Sequence, residues 1–477
     1  MEKTSKAYEY FEKLYGKENA EAYQSYIEQT PKDYLRVNTS KISVDDLQLL
    51  LREKYNIKTE QLQNFPKVLK VVSDEEGLIG KTVEQILGFY YIQGLSSMLP
   101  PIVLNPDEKD LVMDLCGAPG SKTTQMAEMM NNKGTLIVNE IDINRIKSLI
   151  FNLDRLNIIN TGILNFKGEI LSKVYNNYFD KILVDAPCSG LGIIQKKEEV
   201  SKWWSIEHAE RLHDLQTKLL VAAIKMTKAG GEIVYSTCTL SVEENEIVID
   251  TILKNYPVEL VEVNLPVKIH KAFTKYDGKE LNPQIEKAIR ILPWEIDSDG
   301  FFLVKMKKIS PTEPMEKMAI PKTDSKIVSP NDKEFQPYLI YLSDHFGIDK
   351  NIFDAYKFIF KGRDIYIINK DWYDDNLSIF NRIGTKFGSL DKKQRITLHS
   401  NGAQVIGNFA SRFVYEITNI QDLELYLTGM KIKNVNVPTG QYIVKYNNVV
   451  LGTAVNNEEG FKSRFPRTKR TQKFEVM

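Results

Sequence analysis

Two cysteines stand in settings that suit a nucleophile. Cys188 lies in Leu183-Val-Asp-Ala-Pro-Cys-Ser-Gly190 and Cys238 in Val234-Tyr-Ser-Thr-Cys-Thr-Leu240. Each follows a short apolar run that reads as a strand, and each is flanked by polar or turn-forming residues. A single cysteine of this kind reads equally as a small buried hydrophobe. Two of them, each just past the carboxyl end of a strand where open α/β sheets bind ligands, point instead to covalent catalysis, with Asp185 close by. Such a pair suits methylation of a ring carbon too weakly nucleophilic to react unaided, such as C5 of cytosine. Thiolate addition at C6 makes the ring enamine-like, so that C5 can attack a methyl donor. A carboxylic acid near N3 would stabilise the charge that develops, and a base must then remove the C5 proton so that the thiol can leave.

A donor site is also legible. In Val112-Met-Asp-Leu-Cys-Gly-Ala-Pro-Gly-Ser-Lys122 an apolar strand runs into a small-residue turn and then a helix. Small residues let the backbone approach a ligand closely, and the helix start offers free N–H groups to a carboxylate. The spacing is neither the dinucleotide G-x-G-x-x-G nor the phosphate-binding G-x-x-x-x-G-K-[ST]; taken bare, the turn reads equally as a plain fold connection. The second strand ends Val138-Asn-Glu-Ile-Asp142. There Glu140 or Asp142 could accept from both hydroxyls of a ribose.

The elements that must position these groups alternate strand and helix from about Asp110: strands at Leu111–Cys116, Gly134–Ile141, Thr161–Phe166, Lys181–Ala186, Gly231–Thr237 and Gly300–Met306, with helices between them. This predicts an α/β fold, a doubly wound parallel sheet covered on both faces. Residues 1–95 read as a small N-terminal α+β region for RNA binding or packing, with helices in 1–30, a strand at Tyr34–Asn38 and a helix at Val44–Lys54. Residues 96–308 form the sheet domain. The Pro-rich stretch 309–335 reads as a linker that would let residues 1–308 fold alone. Residues 336–477, richer in aromatics and glycine turns, read as a C-terminal α+β region of one or two modules.

The chain has 477 residues, 42% of them hydrophobic, with 63 basic and 63 acidic side chains. Zero net charge argues against a polycation that coats nucleic acid, but not against an enzyme whose positive charge is local. Three cysteines in so long a chain do not make a disulfide framework, and their spacing fits no zinc ribbon or finger. No metal is expected. No apolar run reaches the roughly 18–20 residues of a membrane span, and the N-terminus lacks an apolar signal core. A soluble, cytoplasmic protein is expected.

Asp114-Leu-Cys-Gly-Ala-Pro-Gly-Ser-Lys122, Asp185-Ala-Pro-Cys-Ser-Gly190 and Tyr235-Ser-Thr-Cys-Thr239 together resemble the signature motifs of the Nop/Sun family of RNA (cytosine-5) methyltransferases. Leu35-Arg-Val-Asn-Thr39, Ser96-Ser-Met-Leu-Pro100, Glu243-Glu-Asn-Glu246 and Asp299-Gly-Phe-Phe302 support the match, which covers about residues 30–308. The resemblance implies a class I methyltransferase Rossmann-like fold and S-adenosylmethionine, held by Cys116, Gly117, Ala118, Pro119, Gly120, Ser121, Lys122, Glu140 and Asp185. It implies Cys238 as nucleophile and Cys188 as the group that helps break the adduct; Cys116 matches a variable position and takes no catalytic role. Two departures stand out. Lys167 occupies a place where many members carry Asp on the adenine side, and Gly94 one where an acidic residue is common.

The C-terminal region more weakly resembles the RNA-binding extension of the bacterial 16S rRNA methyltransferase F type, where a PUA-like module carries Gly440-Gln-Tyr-Ile-Val-Lys-Tyr and Leu451-Gly. Small-subunit rRNA is therefore the expected substrate, with tRNA as the alternative and no obligate protein partner. RNA contacts are sought in the basic tail Lys462–Lys473, in Arg36 and Asn38, and in Trp203 and Trp204, which read equally as core. Two other readings remain. In a DNA cytosine-5 methyltransferase Pro187-Cys188 would supply the nucleophile, leaving the second thiol without a role. A non-catalytic ribosome-assembly factor would have no use for both thiols and an intact donor loop.

Overall fold

A computed structural model describes residues 5–316 and 318–470. The N-terminal helix α1 (Lys6–Ile27) bends at Gly16, whose φ of +80° no helical residue adopts. Its aromatic face, with Phe11 and Tyr23, shares an apolar cluster with Leu191, Ile194 and Trp204. Next come β1 (Tyr34–Val37), α2 (Val44–Tyr55), β2 (Lys58–Leu62), β3 (Phe65–Ser73) and β4 (Tyr90–Ile92). Their strands form a four-stranded sheet in the order β2-β3-β1-β4. Sequence periodicity misses β2 because Lys-Thr-Glu-Gln-Leu lies on an exposed edge and carries no apolar alternation.

The central sheet follows helix α3 (Leu95–Leu104). It is built from β5 (Leu111–Asp114), α4 (Ser121–Met129), β6 (Thr135–Asn139), α5 (Ile143–Arg155), β7 (Thr161–Leu164), β8 (Phe179–Asp185), α6 (Ile206–Met226), β9 (Thr227–Thr237), α7 (Glu246–Asn255), β10 (Val258–Val261), β11 (Ile289–Ile291) and β12 (Phe301–Lys308). The strand order is His270–Lys271, β11, β12, β9, β8, β5, β6, β7 and Phe380–Ile383, with β10 also pairing with β12. From β9 to β7 all neighbours are parallel, whereas β12 runs antiparallel to β9. Both faces are apolar. Val112, Leu136, Leu183 and Val234 point into one cluster; Met113, Ile137, Ile182 and Ile233, one residue along, point into the other. The chain direction of winding reverses between β5 and β8, which opens a crevice at their carboxyl ends.

Beyond β12 the chain forms two small five-stranded sheets. The first joins Ile327–Val328, Tyr356–Lys361, Asp364–Asn369, Thr385–Leu390 and Ile396–Leu398; the second joins Val414–Ile417, Gly440–Tyr446, Val449–Asn457, Gly460–Ser463 and Lys431–Ile432. The stretch read as a free linker is held to the sheet domain: Thr312 Oγ1 accepts from Lys308 Nζ at 3.0 Å, and the Met318 N–H donates to the Lys173 carbonyl. The C-terminal region also returns to the central sheet. Phe380–Ile383 pairs antiparallel with β7, and Trp372 packs beside it so closely that a Cβ at Gly162 would lie 2.6 Å from both Trp372 and Phe380. Arg382 pairs with Asp154 of α5, whose carbonyl accepts from Lys469 Nζ at 2.9 Å. A continuous apolar cluster runs from Leu35 and Leu51 through Leu87 to Leu423 and Leu451. The sheet thus draws a strand from each side of the supposed linker, and a fragment ending at 308 would expose the β7 edge.

No helix among the described residues is long and apolar enough to cross a membrane. Trp372 is 3% exposed. Its replacement by Ala should cost about 3–5 kcal/mol of stability, measured by chemical denaturation of the full chain. An unchanged midpoint would mean that the edge contact contributes nothing to the fold.

Candidate active site

The carboxyl ends of β5, β6, β8 and β9 surround a cavity of about 450 Å³ lined by Cys116, Ala118, Glu140, Asp185, Cys188 and Cys238, among others. The turn after β5 is packed tightly against its neighbours. A Cβ on Gly117 would fall 2.3 Å from Val138 Cγ1, and the Gly117 N–H donates to the Asn139 carbonyl. Asn139 Nδ2 in turn donates to the carbonyls of Leu115 and Phe166, tying three strand ends together. Gly120, at φ +106°, turns the chain into α4.

Asp114 is buried under this turn and accepts from Thr123 Oγ1 at 2.6 Å. Burial pushes its carboxyl up to about 7, against the opposing effect of the Thr123 hydrogen bond. Of the two acidic candidates at the end of β6, Asp142 caps α5 by accepting from the Asn144 N–H. Glu140 is left to face the cavity. Its Oε1 accepts from the Asp142 N–H at 3.0 Å, while Oε2 lies 3.2 Å from the Arg145 guanidinium and is buried without a hydrogen bond. Arg145 also donates to the Ala118 carbonyl, bridging the turn after β5 and the acidic strand end; nothing in the sequence motifs singled it out. Lys167 is exposed at the cavity, where its charge differs in sign from the acid expected there.

The two thiols meet. Cys188 Sγ lies 3.0 Å from Cys238 Sγ, though they come from different strand ends. The hydrogen bond with Cys238, then burial, pushes the Cys188 thiol well above the ordinary cysteine value. Cys116 sits across the cavity, and its thiol is also pushed well up, by burial and then by the carboxylate of Asp114, which suits a spectator. Asp185 is fixed at both oxygens: Ser236 Oγ donates to Oδ1 at 2.7 Å, and Lys122 Nζ lies 2.8 Å from Oδ2. Burial alone would lower the Lys122 ammonium's pKa, but Asp185 overrides it and the net shift is upward. Lys122 therefore stays charged and anchors Asp185, while donating to Ser97 Oγ at 2.9 Å.

What holds the thiols in place is the turn Glu243-Glu-Asn-Glu246. The fully buried Glu244 carboxylate accepts from the Ser189 N–H (2.8 Å), Ser189 Oγ, Ser241 Oγ (2.7 Å) and Gln216 Nε2 (3.0 Å). Asn245 accepts from Thr237 Oγ1 and donates to the Thr239 carbonyl, bracketing Cys238. Glu246 pairs with the buried Arg290, and Glu243 accepts from Tyr10 and Tyr276. Gly192 permits a close approach: its N–H donates to the Cys238 carbonyl, and a Cβ there would lie 2.3 Å from the Gly300 carbonyl. The motif Glu243-Glu-Asn-Glu246 carries no task in its sequence alone. Paired acids before a helix are an ordinary solvated pattern, and only their burial reveals the network.

Several expected RNA contacts fall elsewhere. Arg36 is buried and donates to Glu128, Gln93, Thr124 and the Ser121 carbonyl, joining β1 to α4. Asn38 is 1% exposed and donates to the Gly88 and Leu156 carbonyls. Neither side chain is available to RNA. Trp204 is core, its Nε1 donating to Ser189 Oγ at 2.9 Å; Trp203 is exposed at the cavity. In the basic tail, Lys462 lies in a strand and Lys469 is buried between Asp154, Asn401 and Gln404, whereas Lys473 lies outside the described residues. Gly94 has no room for the acid expected there, because Asp299 Oδ2 would sit 2.8 Å from its Cβ with Lys196 beside it.

The strand order and the ligand crevice define a class I methyltransferase. A family model described as 16S rRNA methyltransferase RsmB/F matches residues 101–307. The chain is 30% identical to the ribosomal RNA small subunit methyltransferase F of Shewanella piezotolerans over 94% of this chain and 93% of that protein. It is 34% identical to the tRNA (cytosine(49)-C(5))-methyltransferase of Pyrococcus abyssi, over 61% of this chain and 93% of that protein. The solved structure of a methyltransferase homologue from Pyrococcus horikoshii superposes with a TM-score of 0.56 at 34% identity, covering 63% of this chain and 94% of that one. The chain belongs to this RsmB/F family of RNA (cytosine-5) methyltransferases.

Two outcomes test the site's supports. Glu244→Ala strands several buried donors, each costing about 1–3 kcal/mol, and frees both thiol loops. It should lower the melting temperature and cut kcat roughly 10²-fold, with Glu244→Gln in between; wild-type rates in the Ala variant would remove Glu244 from the positioning role. Because the Asp114 carboxyl is raised in the folded protein, the unfolded chain gives up its proton first. Asp114's contribution therefore falls as pH rises from about 4 to about 7, by an amount on the order of a few kcal/mol. Melting temperatures at pH 5 and pH 8 should diverge more for the wild type than for Asp114→Asn, and equal pH slopes would contradict the shift.

Proposed function

We propose that this protein methylates C5 of a cytosine in small-subunit ribosomal RNA, taking the methyl group from S-adenosylmethionine and passing through a covalent adduct on Cys238. The observation that carries the reading is the meeting of two thiols, 3.0 Å apart, in a cavity that also holds Asp185 and Glu140. The residues present suit the donor: a glycine turn with no room for a Cβ, and a buried Glu140 with one carboxylate oxygen that accepts no hydrogen bond. Residues Cys116–Lys122 would cradle it and Glu140 would accept from its ribose hydroxyls. When bound, S-adenosylmethionine supplies an electrophilic methyl group on a sulfonium that leaves as a neutral thioether.

The chain's own residues do the rest. A target base buried in a duplex cannot reach the crevice, so it is unpaired or flipped out. Cys238 Sγ, as thiolate, forms a bond to C6, and the C5–C6 π pair shifts toward C5 and N3. A proton passed from the Lys122 ammonium through Asp185, which Ser236 holds in place, meets the negative charge that develops at N3 and returns when the adduct collapses. C5 takes the methyl group and then gives up its proton to solvent. The C5–H pair restores the C5–C6 double bond as the S–C6 bond breaks, returning the electrons to Cys238. Cys188, kept protonated by its high pKa and adjacent to Cys238, donates a hydrogen bond to the departing thiolate.

The small-subunit rRNA assignment rests on the extent of similarity. The match to the rRNA relative spans 94% of this chain, against 61% for the tRNA relative. We assign RNA binding largely to residues 336–477 and cytoplasmic action to the whole. Bisulfite sequencing of total RNA from a deletion strain distinguishes rRNA from tRNA.

The order of events separates the thiols. With S-adenosylmethionine and substrate RNA, Cys238→Ala should lose turnover and give no adduct. Cys188→Ala should attack, transfer methyl and stall, leaving RNA attached through Cys238 as a slow band on a denaturing gel. An adduct in Cys238→Ala and none in Cys188→Ala would reverse the roles.

A further inference from the structure

The cavity lining has a part that the donor and the thiols leave without a task. Cys116, Ala118 and Glu140 follow the ends of β5 and β6 and Arg145 lies in the first turn of α5; Ile193, Lys197, Val200 and Trp203 come from the segment that follows Cys188. Trp203 ends the short helix Val200–Trp203. The next residue fixes its direction. Trp204 is 3% exposed, packs against Tyr10 with ring centroids 4.7 Å apart and donates to Ser189 Oγ. With Trp204 locked inward, Trp203 is left 47% exposed. Its indole pairs with the His208 ring in a T-shaped contact, 5.2 Å and 86°, which leaves about half of the residue open. Buried indoles are ordinarily packed and hydrogen-bonded; this one is half exposed and stands in the cavity lining, as do Lys197 and Glu199.

We propose that Trp203 is a stacking platform for a nucleobase of the substrate RNA, the target cytosine or its immediate neighbour. It would hold the base at the Cys188–Cys238 end of the cavity while the donor occupies the Glu140 end. An exposed indole face suits any base, because stacking needs only a π surface, and an unpaired base gives up its neighbours in the strand on entering the crevice. Trp203 is thus a positioning residue for RNA, distinct from the thiols and from Trp204, which holds Ser189. The inference rests on the RNA methyltransferase reading.

The test uses the full chain, 16S rRNA from a strain lacking the enzyme, and a short cytidine-rich single-stranded oligoribonucleotide as the fluorescence probe. Trp203→Ala should raise KM for rRNA about 5- to 150-fold, the range set by single-base stacking, with kcat within about twofold; Trp203→Phe should recover most of the loss. The chain has four tryptophans, and Trp203 is the exposed one among the described residues. The oligoribonucleotide should therefore quench wild-type fluorescence and leave Trp203→Phe nearly unquenched. Wild-type KM in Trp203→Ala, or equal quenching in Trp203→Phe, overturns the proposal. So does quenching by S-adenosylmethionine alone together with weakened donor binding in Trp203→Ala, which would assign the indole to the donor. A wild-type enzyme that methylates no RNA would instead defeat the underlying reading.

Discussion

One buried carboxylate organises the chemistry. Glu244 brings no partner charge with it: its donors are a backbone N–H, two hydroxyls and an amide. Burying a charge on neutral donors is tolerable only when nearly all of its lone pairs are met, so the loops after β8 and β9 have little freedom to separate. That is how two thiols from different strand ends come to lie within contact distance. The neighbouring residues of the same turn extend the hold outward, Glu246 to Arg290 and Glu243 to the N-terminal helix through Tyr10. A four-residue turn thereby links the two sulfurs to an element more than 200 positions earlier in the chain.

The chemistry was more legible than its supports. The donor turn, the acid at the end of β6 and both thiol loops follow from strand ends in a doubly wound sheet, since the topology dictates that such ends converge. Their immediate stabilisers did not follow. Lys122 reads as the last residue of a glycine turn, and only the fold shows it anchoring Asp185. Arg36 has the look of a phosphate contact, yet β1 carries it inward against Glu128. Gly94 looked like a loss of charge, whereas the acid that matters there comes from Asp299, far along the chain. In each case the deciding fact is a long-range neighbour, which local pattern does not encode.

The charge pattern bears on how a neutral protein handles RNA. Many of its basic residues are spent internally: Arg155 on the Gln85 and Tyr90 carbonyls, Arg290 on Glu246, Lys469 on Asp154. Overall charge therefore says little about the surface offered to a polyanion. At the cavity, exposed Lys167 and Lys197 coexist with Glu169 and Glu199, so local attraction is modest and selectivity falls to shape and stacking.

The strand Phe380–Ile383 has a consequence for how the protein is made. An open sheet edge is a template for pairing with other chains, and β7 is such an edge until residues 372–383 cover it. During synthesis the last strand of the methyltransferase core, β12, ends about 70 residues before the cover strand begins, an interval of roughly 4 to 14 seconds at about 5–20 residues per second. Over that interval the nascent chain carries a nearly finished catalytic sheet with one border unsealed. Completion of the enzyme and protection from aggregation then arrive together, late in translation.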